Sequence, residues 1–221
     1  MAKYDYVLFD FDGTLSQSAE GVRLSLEKTI EKMGKPIPDL SDYSKYLGPP
    51  LVNTLKNLCG FSEDECNKGI EIYKGFYKTE GIKKNRLYDG MEEVLKTLNA
   101  NNIPISVCSS KYELFAEKAC DILDITKYFK AVCGSSKDGS RKEKADLIPY
   151  AVNRLGGKMT DKIVLIGDTY FDAEGARLTG IDFIAASYGY GEKSLMKKHG
   201  AKVFVNNPLE ILDIMFTPNT D

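Results

Sequence analysis

The chain has 221 residues, 43% of them hydrophobic, with 30 basic against 32 acidic side chains and a formal net charge of −2. That length buries one substantial core, or one core with a smaller appended unit. The balanced charge leaves no electrostatic footprint for a nucleic-acid polymer or an anionic membrane surface.

No apolar run approaches the ~20 residues needed to span a bilayer, and residues 1–10 lack the basic start and long apolar stretch of a signal peptide, so a cytoplasmic chain is expected. The cysteines, Cys59, Cys66, Cys108, Cys120 and Cys133, form no C-x-x-C pair and read as reduced thiols. His199 is the only histidine, which excludes Ser-His-Asp or Cys-His catalysis within the chain.

The first element is an apolar strand over residues 6–11, running into Asp-Phe-Asp-Gly-Thr-Leu at 10–15. In an extended strand residues two apart point the same way, so Asp10 and Asp12 are expected to address one point in space. Gly13 then allows a tight turn beneath a ligand. About seventy residues without a convincing strand follow, with apolar positions at helical spacing over 19–33, 51–58 and 62–78. "LGPPL", residues 47–51, breaks these helices and is expected to face the site. A helical insertion here would sit above the C-terminal ends of the strands and act as a lid. The expected division is an α/β core, residues 1–16 and 88–221, with a helical cap, residues 17–87.

From Asp89 onward the alternation is regular. Asp89 and Glu92 are expected to open a helix as a capping box, and apolar runs at 103–108, 130–133, 162–166, 182–186 and 202–205 alternate with helical patterns. This predicts an α/β fold with a doubly wound parallel sheet. Residues 217–221 are expected to fray.

The second acidic pair lies in "IVLIGDTYFDAEGA", residues 163–176, where an apolar strand ends at Gly167 and Asp168 and Asp172 follow at the start of a helix. Both are expected to face the crevice addressed by Asp10 and Asp12. Four converging carboxylates demand a cation, and a few hard oxygen ligands completed by water are what Mg²⁺ prefers. "ISVCSSK", residues 105–111, is expected to place Ser109 and Ser110 before a helix whose free N–H groups receive phosphate oxygens. "GSRKEKADLI", residues 139–148, offers Arg141, Lys142 and Lys144, one of which can neutralise a phosphate and a carboxylate together. Lys144 is the best placed and Lys142 the alternative.

Asp-Phe-Asp-Gly-Thr-Leu, then Ser109, then Lys144, then Gly-Asp-x-x-x-Asp, in that order over essentially the whole chain, resembles the haloacid dehalogenase superfamily of phosphohydrolases. "CSSK", "DGSRKEKADLI", "GDTYFDAEGA" and the "YGYG" of residues 188–191 further resemble its phosphoglycolate phosphatase-like branch, which includes 5′-nucleotidases and carries a small helical cap after the first motif.

The resemblance implies Asp10 as a nucleophile that forms an aspartyl-phosphate and Asp12 as general acid and base. Ser109, Ser110 and Lys144 would hold phosphoryl oxygens. Mg²⁺ would rest on Asp10, the main-chain carbonyl of Asp12 and Asp168, with Asp172 as a further ligand or just behind one. The substrate is expected to be a small phosphate ester, and its specificity to lie in the cap, near residues 47–51 with Gly48 and Pro49, together with Lys83, Lys84 and Arg86. A β-phosphoglucomutase-like mutase is the alternative. A non-catalytic phospho-aspartate signalling domain fits less well, because the run at 103–108 ends in serines. Gln17-Ser18 departs from the Asp-Ser that the branch commonly carries where the chain enters the cap.

Overall fold

The computed structural model describes residues 2–216; the expected fraying of residues 217–221 lies outside the described residues. In chain order, β1 (Tyr6–Phe9) is followed by the two-residue strand β2 (Ser16–Gln17), helix α1 (Ala19–Lys32), the short helix α2 (Leu51–Asn53), which widens into a π turn at Thr54–Leu58, and α3 (Glu63–Thr79). The chain returns through β3 (Arg86–Leu87). It then alternates through α4 (Met91–Ala100), β4 (Ile105–Tyr112), α5 (Glu113–Ile122), β5 (Ala131–Ser135), α6 (Lys144–Leu155), β6 (Ile163–Gly167), α7 (Tyr170–Thr179), β7 (Asp182–Ala186), α8 (Lys193–Lys198), β8 (Val203–Val205) and α9 (Glu210–Phe216).

The six longer strands form one parallel sheet in the order β5-β4-β1-β6-β7-β8. β1 lies at its centre, paired with β4 on one side and β6 on the other. The chain winds outward from β1 in both directions, so the crevice at the C-terminal ends of β4, β1 and β6 is the topological switch point where open α/β sheets bind ligands.

Strand side chains alternate between two apolar layers. Val7, Phe9, Ile105, Val107, Val164 and Ile166 join one layer with α4, α5 and α9. Leu8, Cys108, Ile163 and Leu165 face the other, beneath Leu147, Ile148 and Ala151 of α6 and Ala176 of α7. The first layer is continuous with the insertion through Val22, Leu26 and Ile30 of α1 and Tyr73 and Tyr77 of α3.

Local chemistry explains where the elements begin. α3 starts with a full capping box: Ser62 Oγ accepts the Glu65 N–H while the Glu65 carboxylate accepts the Ser62 N–H. α4 corrects the expectation for Asp89. Its N-cap is Gly90, at φ +82° with no side-chain cap bond, so Asp89 opens no capping box. The insertion is not free of strand either, because β2 and β3 pair antiparallel (Ser16 with Leu87, Gln17 with Arg86) and bring its two ends side by side.

Candidate active site

β1 stops at Phe9, and Asp10 is the first residue beyond it. Asp10 is buried at the floor of a cavity of about 350 Å³ whose walls come from the strand ends and from the insertion. Carboxylate oxygens of Asp10, Asp168 and Asp172 lie within 4.8 Å of one another, all three residues buried. Lys144, the first residue of α6, enters this cluster. Its ammonium donates to Asp10 Oδ1 at 2.6 Å and to the Cys108 carbonyl at 2.7 Å, and it lies 2.7 Å from Asp172 Oδ1 as an ion pair outside hydrogen-bond geometry.

The sequence left Lys142 and Lys144 as rivals, and their burial separates them: Lys144 is 5% exposed inside the cluster, whereas Lys142 is exposed on the cavity wall. Arg141 serves the loop instead, bonding Glu113 Oε2 at 3.0 Å and the Gly134 carbonyl at 3.1 Å. α6 can bring Lys144 this close because α7 carries Gly175, where a Cβ would fall 2.3 Å from Lys144 Cβ.

The helix after β6 is capped by Thr169. Its N–H and Oγ1 both donate to Asp172 Oδ2, at 3.0 and 2.6 Å, which fixes the Asp172 carboxylate with Oδ1 toward Lys144. Asp168 is fully buried; its oxygens accept from Thr14 Oγ1 at 3.2 Å and from the Tyr190 N–H at 2.8 Å.

These neighbours leave the cluster short of positive charge. Burial pushes the Asp10 pKa up to about 6, with Lys144 pulling it down and Asp172 adding to the rise. Burial, then Asp10 and Asp172, raise Asp168 well above the carboxylate range. Burial disfavours the Lys144 ammonium, but Asp10 and Asp172 outweigh it and hold the lysine charged. One ammonium against three buried carboxylates, all hard oxygen donors, is a donor set that fits Mg²⁺.

Asp12 departs from the expected pattern. Its carboxylate is not part of the cluster: Oδ2 pairs with Lys111 Nζ at 2.6 Å, while Oδ1 is buried without a hydrogen bond. Because β1 has ended, the two carboxylates line one cavity but engage different lysines.

Lys111 is the site residue that sequence reasoning missed. Its ammonium lies 4.5 Å from the ring centroid of Tyr77 on α3, so it links Asp12 to the insertion. The strand period gave only a partial signal, placing Lys111 two residues after Ser109; that the cavity takes in both shows only in the structure.

Ser109 is buried and Ser110 exposed, and both line the cavity. Neither caps a helix, because β4 runs on to Tyr112 with an irregular register between Cys108 and Tyr112, and α5 starts only at Glu113. Such a bulge re-aims side chains at a strand end. Ser109 Oγ accepts the Lys111 N–H at 3.3 Å, leaving its hydroxyl proton to donate.

On the insertion side, Gly48 and Pro49 line the cavity as expected, and Gly48 comes so near Thr169 that a Cβ would fall 2.9 Å from its methyl group. Arg86, Lys83 and Lys84 do not line it: Arg86 sits exposed on β3, and Lys84 pairs with Glu20 at 2.9 Å. The remaining wall is largely apolar and aromatic, with Leu51, Val52, Ile70, Tyr73 and Phe115.

The haloacid dehalogenase-like hydrolase family model matches residues 7–186, which takes in every side chain of this cluster. The chain belongs to that family. It is a hydrolase of the phosphatase type. A 5′-nucleotidase of Pseudomonas aeruginosa is 30% identical over 197 residues, covering 89% of each chain. The tyrosine-protein kinase PtkA of Mycobacterium tuberculosis is 32% identical over 197 residues, 89% of this chain and 67% of that one. Among solved structures, a predicted phosphatase from Clostridium acetobutylicum superimposes with a TM-score of 0.87 at 35% identity, covering 94% of this chain and 96% of the other. Among the described residues no helix is long and apolar enough to cross a membrane.

Proposed function

We propose that the chain is a Mg²⁺-dependent phosphatase of small-molecule phosphate monoesters, phosphoglycolate-like, nucleotide or sugar phosphates, working through an aspartyl-phosphate on Asp10. The observation that carries this is the convergence of Asp10, Asp168, Asp172 and Lys144 on the floor of a cavity whose other wall comes from the insertion. The insertion, residues 17–87, then acts as a cap, and the free cysteines accord with a cytoplasmic setting.

Asp10 attacks phosphorus as the ester oxygen leaves, and Asp12, which enters the cycle carrying a proton, gives it to that oxygen. Water then attacks the same phosphorus, Asp12 takes its proton, and Asp10 is released with inorganic phosphate. Lys144 aims the Asp10 carboxylate and keeps it ionised. The Ser109 hydroxyl donates to a phosphoryl oxygen, and Lys111 holds Asp12 at the cavity wall. Mg²⁺, held by Asp10 and Asp168 with Asp172 and the Asp12 carbonyl, would neutralise the cluster and supply positive charge to the transferring group.

The test is phosphate release over a panel of such esters, with Mg²⁺ and with chelator. Release that requires both Mg²⁺ and Asp10 supports the reading. Isomerisation of a phosphosugar without phosphate release would make the chain a mutase, and transfer to a tyrosine peptide in preference to water would align it with the activity that the mycobacterial relative's name describes.

A further inference from the structure

The Tyr-Gly-Tyr-Gly segment, residues 188–191, is a motif to which the chemistry above gives no task. It follows β7 and packs against Asp168, and Tyr190 is the residue that reaches furthest. Its main-chain N–H donates to Asp168 Oδ2 at 2.8 Å. Its ring lies against the turn after the first motif, where a Cβ on Gly13 would fall 2.8 Å from Tyr190 Cδ2. Its face also meets Tyr43, with ring centroids 6.2 Å apart at 61°. Its hydroxyl accepts the N–H of Ala19 at 3.1 Å, across 171 residues of sequence.

These contacts matter because α1 lacks a cap of its own. The first N–H groups of a helix have no partner within it and normally turn to a local Ser, Thr, Asp or Asn. Ser18 stands at that position in a helical conformation (φ −100°, ψ −5°) and makes no cap bond. Its Oγ is buried without a hydrogen-bond partner. Ala19 follows β2, the strand that enters the insertion, and Tyr88 follows β3, the strand that leaves it. The Tyr190 hydroxyl therefore holds the entering crossing, which the β2–β3 pairing joins to the leaving one.

We propose that Tyr190 is a positioning residue: its hydroxyl caps α1 from the core and holds the entering crossing, which sets the pitch of the insertion over the acidic cluster. Tyr190 does not line the cavity, so it acts through the insertion and not on the substrate. Its two tasks are separable, since the hydroxyl holds the insertion and the main-chain N–H holds Asp168.

Tyr190→Phe removes the first task and keeps the second. Amide hydrogen exchange on the substrate-free chain should rise on the order of tenfold at residues 17–22, the scale of one lost hydrogen bond. Exchange in β1 and β6, and the Mg²⁺ affinity measured by calorimetry, should stay unchanged. Tyr188→Phe, which removes the hydroxyl that donates to the Thr14 carbonyl at 3.1 Å, should leave residues 17–22 at the wild-type rate. With an ester substrate, Tyr190→Phe should raise KM several-fold and leave kcat nearly constant. Only this kinetic arm rests on the phosphatase reading, so a chain inactive on every ester would sink that reading while the exchange arm still decides the proposal. Unchanged exchange at residues 17–22 overturns it. So does a uniform rise across the sheet with a lowered Tm, the mark of general destabilisation.

Discussion

Asp10 sits between opposed influences, with burial and Asp172 favouring its protonated form and Lys144 its charged one. Its side chain adds no apolar contact to either core layer. Asp10→Asn should therefore keep the fold, read by circular dichroism, and lose at least a hundredfold in turnover; as much as a tenth of wild-type activity would remove Asp10 from the role of nucleophile. Lys111→Met keeps the stem and removes the charge that holds Asp12. Turnover should fall on the order of a hundredfold, the lower end of what a positioned acid or base contributes, with secondary structure intact. Lys144 was legible because a lysine at the head of an apolar helix face has few alternatives. Lys111 was not, because a lysine after two serines resembles any solvated strand end until Tyr77, 34 positions earlier, is known to lie over it.

At the scale of elements, α6 and α7 are in close contact through Gly175 and Lys144. Gly175→Ala would drive a methyl group into Lys144, so the helices must part or the lysine must move. Overpacking of this kind costs about 1–3 kcal/mol, measurable by urea denaturation, and phosphate release should fall with it. Stability equal to wild type would show that the contact is slack. The six sheet strands were legible from their apolar, β-branched runs, because a strand buried on both faces announces itself by composition. The start of α4 was misread because Asp89-x-x-Glu92 satisfies the pattern of a capping box, while the chain turns instead through Gly90 at positive φ. The β2–β3 ribbon had no signal to read. Two-residue strands are too short for a period, and their pairing depends on contacts seventy residues apart.

For the whole molecule, the raised carboxyls link stability to pH. Near pH 3.5 Asp10 and Asp168 are mostly protonated in the folded and unfolded chains alike, and neither imposes a penalty. As pH climbs from about 4 towards 6, the unfolded carboxyls ionise freely while the folded ones resist, so stability is lost over this window; the Asp10 contribution levels off above about 6. Lys144, whose pKa is raised, stays charged throughout and adds no slope here. A divalent ion removes the penalty. Thermal unfolding should accordingly show Mg²⁺ raising Tm by several degrees at pH 7.5 and by much less at pH 5, against a chelated control. Equal insensitivity at both pH values would mean that the cluster holds no such ion.

The cavity joins two stretches of chain with different obligations. The acidic floor hangs from strands whose neighbours fix it on both sides, whereas the wall at residues 46–52 belongs to a connecting segment outside the sheet. Gly48 is bound to the floor through Thr169, but on the phosphatase reading changes at residues 49–52 would alter the alcohol accepted while leaving the acidic cluster in place. Selection can thus retune what the enzyme accepts without reopening how it reacts.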